Sequence, residues 1–206
     1  MTRLTIAERD VVLVRHGSTS WAEQRKHTGR TDIALTPMGE DEARALYEPL
    51  GLLAAGYSVH AFTSPLLRAR MTHELSASEY PAALNDDLAE FDYGAYEGLT
   101  SAEIRVENPG WDIFRDGCPG GESPDEVSAR CDRFIESIAT LDGVVLVFTH
   151  GHLSRFLAAR LLGLPGEQGR ALWNNTGSFG IVRTDDRGTV LIGWNYRPGG
   201  FTRPSS

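Results

Sequence analysis

Cysteine is scarce in this chain: Cys118 and Cys131 are its only two among 206 residues. They have no metal-ligand spacing, and a chain of this length can bury a core without disulfide staples. The reading is a reduced, intracellular protein in which Cys118 is a small buried thiol. No apolar run approaches the ~20 residues that cross a bilayer, and no basic-then-apolar leader opens the chain. A cytoplasmic protein without membrane contact is expected. Basic residues are in deficit, with 20 Lys and Arg against 28 Asp and Glu for a net charge of −8. Nucleic acids and membrane surfaces are anionic, so neither is an expected partner. Internal repeats and low-complexity linkers are absent too. One domain over residues 1–206 is expected, with a loose tail at 197–206 rich in Pro, Gly and Ser.

Against this acidic background one stretch is basic. Arg15, His16, Arg25, Lys26, His27 and Arg30 lie close together in sequence. A single basic pocket on an acidic protein suits a small anionic substrate. A solvated basic loop would look the same by charge alone.

The apolar pattern alternates strands with helices. Val11 to Val14 reads as a buried strand, Val59 to Thr63 as a second and Val144 to Phe148 as a third. Thr36-Pro37 offers an N-cap and a first-turn proline for a helix running to about Ala54. Ser64-Pro65 repeats that signal. Ser123-Pro124-Asp125-Glu126 is a capping box, and Val127, Cys131, Phe134, Ile135, Ile138 and Leu141 behind it form one apolar stripe. A helix is expected from about Leu153 to Leu162. Phe179 to Val182 and Val190 to Trp194 are shorter strand candidates toward a sheet edge. This order implies an α/β domain with a largely parallel sheet.

Chemistry-bearing residues fall just beyond the three strongest strands: Arg15-His16-Gly17, Ser64-Pro65 leading to Arg68, and His150-Gly151-His152. Ligands of open α/β sheets bind outside the carboxyl ends of the strands. One crevice would then collect Arg15, His16, Arg68 and His150, two guanidiniums and two imidazoles. Gly17 and Gly151 would let backbone N–H groups approach a ligand. A phosphoryl group fits such a cluster best.

These motifs resemble the histidine phosphatase superfamily, also called phosphoglycerate-mutase-like. The resemblance rests on Leu13-Val14-Arg15-His16-Gly17-Ser18-Thr19, Thr28-Gly29-Arg30-Thr31-Asp32 and Leu35-Thr36-Pro37-Met38-Gly39. It continues through residues 63–72, Glu90-Phe91-Asp92-Tyr93-Gly94 with Glu97-Gly98, and Thr149-His150-Gly151-His152. It implies a three-layer α/β/α fold of the phosphoglycerate-mutase-like kind. It implies His16 as nucleophile, Arg15, Arg68 and His150 as ligands of the phosphoryl oxygens, and Glu90 as general acid and then base. It implies no metal and no cofactor, and homodimers occur in the family. Nearby guanidiniums should lower the basicity of His16, since imidazole is nucleophilic only when neutral.

Family mutases usually carry Trp-Asn after the first motif and Asn-Glu-Arg around the acid. This chain has Trp21-Ala22 and Ala89-Glu90-Phe91. The match is closer to phosphatases of sugar phosphates, a branch that includes sedoheptulose-bisphosphatase-like enzymes and bacterial acid phosphatases. Shared with that branch are His27-Thr28-Gly29, Trp111, Phe114, residues 115–118, Gly121-Glu122, and His150-Gly151-His152 with Arg155. The expected substrate-binding set is Gly17, His27, Thr28, Gly29, Tyr93, Gly151, His152 and Arg155, with Trp111 and Phe114 read as packing. Arg155 is expected in the first turn of the helix after His150, beside the crevice. A metal on His150-x-His152, and a catalytically inactive phosphate-binding or scaffold protein, are the readings from other classes. Adjacent arginines oppose the first, and retention of all five core residues opposes the second.

Overall fold

The computed structural model describes residues 9–198. Its strands are β1 (Arg9–Arg15), β2 (Val59–Thr63), β3 (Ala82–Leu84), β4 (Gly143–Thr149), β5 (Phe179–Asp185) and β6 (Gly188–Tyr196). Its α-helices are α1 (Ser20–Glu23), α2 (Pro37–Ala45), α3 (Tyr47–Ala54), α4 (Leu67–Ser76), α5 (Ser101–Glu107), α6 (Ile113–Asp116), α7 (Pro124–Ser137) and α8 (Gly151–Leu161). The strands form one sheet in the order β3-β2-β4-β1-β5-β6. Pairings among β1, β2, β3 and β4 are parallel, whereas β5 runs antiparallel to β1 and β6 antiparallel to β5.

Successive strand residues point to opposite faces, and both faces are covered. Val11, Leu13, Val145 and Val147 pack on one side with Phe134 of α7 and Phe156 of α8. Val12, Val14, Leu146 and Phe148 pack on the other with Leu46 and with Leu50 of α3. This two-sided burial makes β1 and β4 continuous apolar runs and gives the expected three layers.

Local departures from the expected elements have local causes. The helix expected over 37–54 is divided at Leu46. Pro49 cannot donate to the carbonyl of Ala45, and its ring would clash there, so the first helix must end. Ser64-Pro65 is not a helix start: α4 begins at Leu67 without a local cap, and its first N–H donates to Asp32 Oδ1 at 2.7 Å. The Ser123–Glu126 capping box forms as expected. The two C-terminal strands are longer than expected, and β3 was unread. Of the expected loose tail, residues 199–206 lie outside the described residues, while Arg197 Nη2 donates to Glu42 Oε1 at 2.8 Å. Among the described residues no helix is long and apolar enough to cross a membrane.

Candidate active site

β1 delivers His16 one residue past its end. The His16 N–H donates to Thr149 O at 3.0 Å, and its carbonyl accepts from Gly177 N at 3.0 Å, which fixes its backbone between β4 and the loop before β5. The ring Nδ1 lies 2.7 Å from the carbonyl of Gly17. A carbonyl only accepts, so Nδ1 carries the proton and Nε2 keeps its lone pair. Burial, then the charges of Arg68 and Arg15, push the His16 pKa well below 6.5.

Gly17 itself is turned away from any ligand. Its N–H donates to Thr72 Oγ1 at 3.1 Å, and a Cβ there would lie 2.1 Å from Gly39 O. The glycine is required by close packing of the loop on α2, not by a free N–H. Gly151 is different. The Arg15 guanidinium lies over it, and a Cβ at Gly151 would come within 3.2 Å of Arg15 Cζ. Arg15 Nη1 donates to Asn174 O at 2.8 Å, and its buried Nε has no hydrogen-bond partner among the described residues.

Arg68 is fully buried. Nη1 donates to Thr31 O at 3.0 Å, Nη2 to Thr28 O at 2.9 Å and Gly29 O at 3.0 Å, and Nε to His150 Nδ1 at 3.2 Å. One N–H on Nη1 is left over. The loop supplying those carbonyls is itself held by Glu97, which accepts from Gly29 N at 2.9 Å and Thr31 N at 3.1 Å. Thr28 and Gly29 therefore position Arg68 through their carbonyls. Gly29 does not line the cavity, because a Cβ there would meet Phe91 O at 2.5 Å.

His150 is also fully buried, 5.2 Å from His16 between ring centroids. Because Nδ1 accepts from Arg68, the proton sits on Nε2 and is donated to Ser64 Oγ at 2.7 Å. Ser64 thus joins the site, a role the sequence reading missed by assigning it to a helix cap. Burial, then Arg68, holds His150 well below the usual imidazole range.

Glu90 stands at the N-terminus of α8. Oε1 accepts from Phe91 N and Leu153 N, each at 2.9 Å, and Oε2 from His152 N at 3.0 Å. The carboxyl replaces the side-chain cap that His150 does not provide, which is why α8 starts at Gly151 rather than near Leu153. Oε1 is saturated, so Oε2 is the oxygen free to exchange a proton.

Arg15, His16 and Glu90 face a cavity of about 680 Å³. Arg68 and His150, expected in the same crevice, do not line it: both are fully buried, bonded to each other, with His150 packed against His16. Farther out, His27, Thr28, Tyr93, His152 and Arg155 line it, together with Arg25, Lys26 and Arg105. Tyr93 Oη and His152 Nδ1 are 2.7 Å apart, and His27 Nε2 is 3.1 Å from Ser101 Oγ. Burial first, then Arg105, pushes His27 down to about 4. Arg155 is in the second turn of α8, not the first. Its guanidinium lies 4.4 Å from the Phe114 ring centre, with Nε and Nη2 donating to Gly169 O and Arg170 O at 3.2 and 2.8 Å. Among the described residues it has no carboxylate ion-pair partner, and burial lowers its pKa to about 10. Trp111 and Phe114 are buried packing residues, and Cys118 is a buried thiol pushed up to about 12 by burial.

The side chains of His150 and His152 diverge, toward Ser64 and toward Tyr93, so the pair does not converge on one ion. Among the described residues no cluster of three His, Cys, Asp or Glu side chains is placed to hold a metal.

A family model for the histidine phosphatase superfamily (branch 1) matches residues 11–197. The chain belongs to that superfamily. An acid phosphatase from Mycobacterium tuberculosis is 36% identical over 175 residues, 83% of this chain and 84% of the relative. A sedoheptulose 1,7-bisphosphatase from Saccharomyces cerevisiae is 34% identical over 183 residues, 74% of this chain and 67% of the relative. A 2,3-bisphosphoglycerate-dependent phosphoglycerate mutase from Methylobacterium radiotolerans matches at 36% over 201 residues, 89% of this chain and 93% of its own. Among solved structures, an open reading frame product of Mycobacterium tuberculosis superposes with a TM-score of 0.87 at 32% identity, covering 92% of this chain and 98% of the other. Phe91, next to Glu90, is fully buried against Tyr93 and Phe156.

Proposed function

We propose that this protein is a phosphomonoesterase of small phosphorylated metabolites, sugar phosphates or bisphosphates, acting through a phosphohistidine on His16. The observation that carries the reading is the 2.7 Å contact from His16 Nδ1 to the Gly17 carbonyl. It leaves Nε2 with a lone pair in a pocket whose cations keep the ring neutral and attract the phosphoryl group.

In the first step Nε2 attacks phosphorus as the ester P–O bond breaks. Arg15 Nε and the remaining Arg68 N–H stabilise the equatorial oxygens. Glu90, protonated on Oε2, delivers its proton to the leaving oxygen. In the second step the Glu90 carboxylate takes a proton from water, the water oxygen attacks phosphorus, and the P–N bond breaks to regenerate His16. Nδ1–H stays on the Gly17 carbonyl throughout and supports the positive ring of the intermediate.

The cavity is larger than one phosphoryl group needs, and its outer wall is basic. Arg155, in no ion pair among the described residues, is assigned to the distal end of the substrate with His27 and Thr28, which favours a second anionic group. The protein is taken as cytoplasmic.

Mutase activity is the second reading, and the similarity to mutases favours keeping it in view. Phe91 and Ala22 oppose it. The test is a panel of sugar phosphates, bisphosphates and phosphoglycerates, with and without bisphosphoglycerate. Phosphate release is expected to dominate. Interconversion of phosphoglycerates that is stimulated by bisphosphoglycerate and exceeds phosphate release would overturn the phosphatase reading.

A further inference from the structure

Glu90 lies on a segment with no strand ladder of its own. Residues 89–93 follow a 3-10 turn at Asp86–Leu88 and precede another at Gly94–Tyr96. Backbone groups in such a buried segment need partners from elsewhere, and the partners here come from α7, the loop before it and the end of β4. Arg130 of α7 is 6% exposed, and a charge buried that far needs hydrogen-bond partners. Its Nη1 donates to Asp87 O at 2.8 Å and to Ala89 O at 2.6 Å. Its Nε and Nη2 donate to the two oxygens of Glu122 at 2.7 and 3.0 Å. Glu122 in turn accepts from Asp92 N at 2.8 Å, and its own N–H donates to Asp92 O at 2.9 Å. The intervening carbonyl, Leu88 O, accepts from Thr149 Oγ1 at 2.9 Å. The backbone is thus pinned at Asp87, Leu88 and Ala89 before Glu90 and at Asp92 after it.

We infer that the Arg130–Glu122 pair is a positioning device for Glu90, setting where its Oε2 meets the leaving oxygen. The inference rests on the assignment of Glu90 as proton donor above. Catalytic groups must be held to within ~0.5 Å, and a shift of ~1 Å can cost ~10²-fold. A regular element gives that precision through its own ladder. This segment obtains it from a planar fork that spans a carboxylate on one edge and two carbonyls on the other. Lysine, a point charge on a flexible stem, cannot span them.

The experiment compares kcat/KM for nitrophenyl phosphate and for an alkyl phosphate in wild type, Arg130→Lys, Glu122→Gln, Glu90→Gln and the Arg130→Lys/Glu90→Gln double variant. kcat/KM covers only the steps through phosphoenzyme formation, where the two substrates differ in their need for a proton. Arg130→Lys is expected to lower the alkyl value about tenfold more than the nitrophenyl value, a part of the ~10²–10⁴ available from general acid catalysis. That excess should vanish once Glu90 is already glutamine. Glu122→Gln can keep the oxygen that accepts from Asp92 N and Arg130 Nη2, but it removes the countercharge and sets an NH2 against Arg130 Nε–H, and should show a bias of the same sign. It decides the question if Arg130→Lys does not fold. Equal losses on both substrates, with Glu90→Gln itself selective, would overturn the inference and leave Arg130 as a structural strut. A Glu90→Gln variant without selectivity would instead overturn the acid assignment, and the inference with it.

Discussion

Arg68 donates from Nε to Nδ1 of His150 at 3.2 Å, and the proton of His150 is thereby held on the opposite nitrogen, facing Ser64. For His150 to offer a phosphoryl oxygen an N–H from Nδ1, the ring must change tautomer and the Arg68 Nε–H must leave Nδ1 for another acceptor, such as the phosphoryl group itself. Ser64 allows this, because a hydroxyl that accepts from Nε2–H can turn and donate to bare Nε2. Ser64→Ala removes that partner where both residues are fully buried. An unmet buried polar atom costs ~1–3 kcal/mol, so kcat/KM should fall roughly ten- to a hundredfold, with weaker inhibition by inorganic phosphate. A change under twofold in both would remove Ser64 from the site.

Glu90→Gln has two separable effects. The amide nitrogen must face one of the N–H donors that now meet the carboxylate, so the cap on α8 is weakened by ~1 kcal/mol. That loss appears in the melting temperature. The chemical loss appears only where the leaving group needs a proton. Single-turnover rates should fall far more for an alkyl phosphate than for nitrophenyl phosphate. Equal falls would remove Glu90 from the role of acid.

Acid should destabilise the fold through its histidines. Burial is the first cause holding His16, His27, His150 and His152 below the ordinary value of 6.5. As pH drops below ~6.5 the unfolded chain binds protons that the folded chain refuses, so stability is lost as pH falls. For His27 the window runs from 6.5 down to about 4. Urea unfolding between pH 7.5 and 5 should show ΔG falling by up to ~1.4 kcal/mol per pH unit for each such histidine. His27→Gln should flatten the slope by one such contribution. A ΔG independent of pH over that range would contradict the burial of neutral imidazoles.

Arg155→Met keeps the packing on Phe114 and removes the charge. Specificity for a bisphosphate over nitrophenyl phosphate should drop by the worth of a charge-assisted hydrogen bond, ~1.5–3 kcal/mol or more than tenfold. Uniform loss on both would place Arg155 in the core machinery or in folding instead.

Much of this arrangement is legible in the residues themselves. Val11 to Val14 and Val144 to Phe148 announce doubly covered strands, and the polar residues after them announce where ligands bind. The Ser123–Glu126 box announces α7. What could not be read depends on contacts distant in sequence. Ser64-Pro65 has the local form of a helix start, but the hydroxyl is taken by His150 and the helix by Asp32. Gly17 was read as opening an N–H to a ligand, yet it is fixed by Gly39 of α2. Arg130 carries no local signal on its amphipathic helix, and only its four hydrogen bonds to Glu122, Asp87 and Ala89 give it meaning. The break at Leu46 is the exception: Pro49 stands within the expected helix and is a local signal for its division.

The central claim is a covalent phosphohistidine on His16. Wild-type protein mixed with phosphorus-labelled substrate and quenched in denaturant should yield labelled protein that is stable to alkali and lost in acid. His16→Ala should give neither label nor turnover, because no other side chain replaces a neutral imidazole at that point. A label that survives acid and is lost in alkali, or one that persists in His16→Ala, would contradict the account.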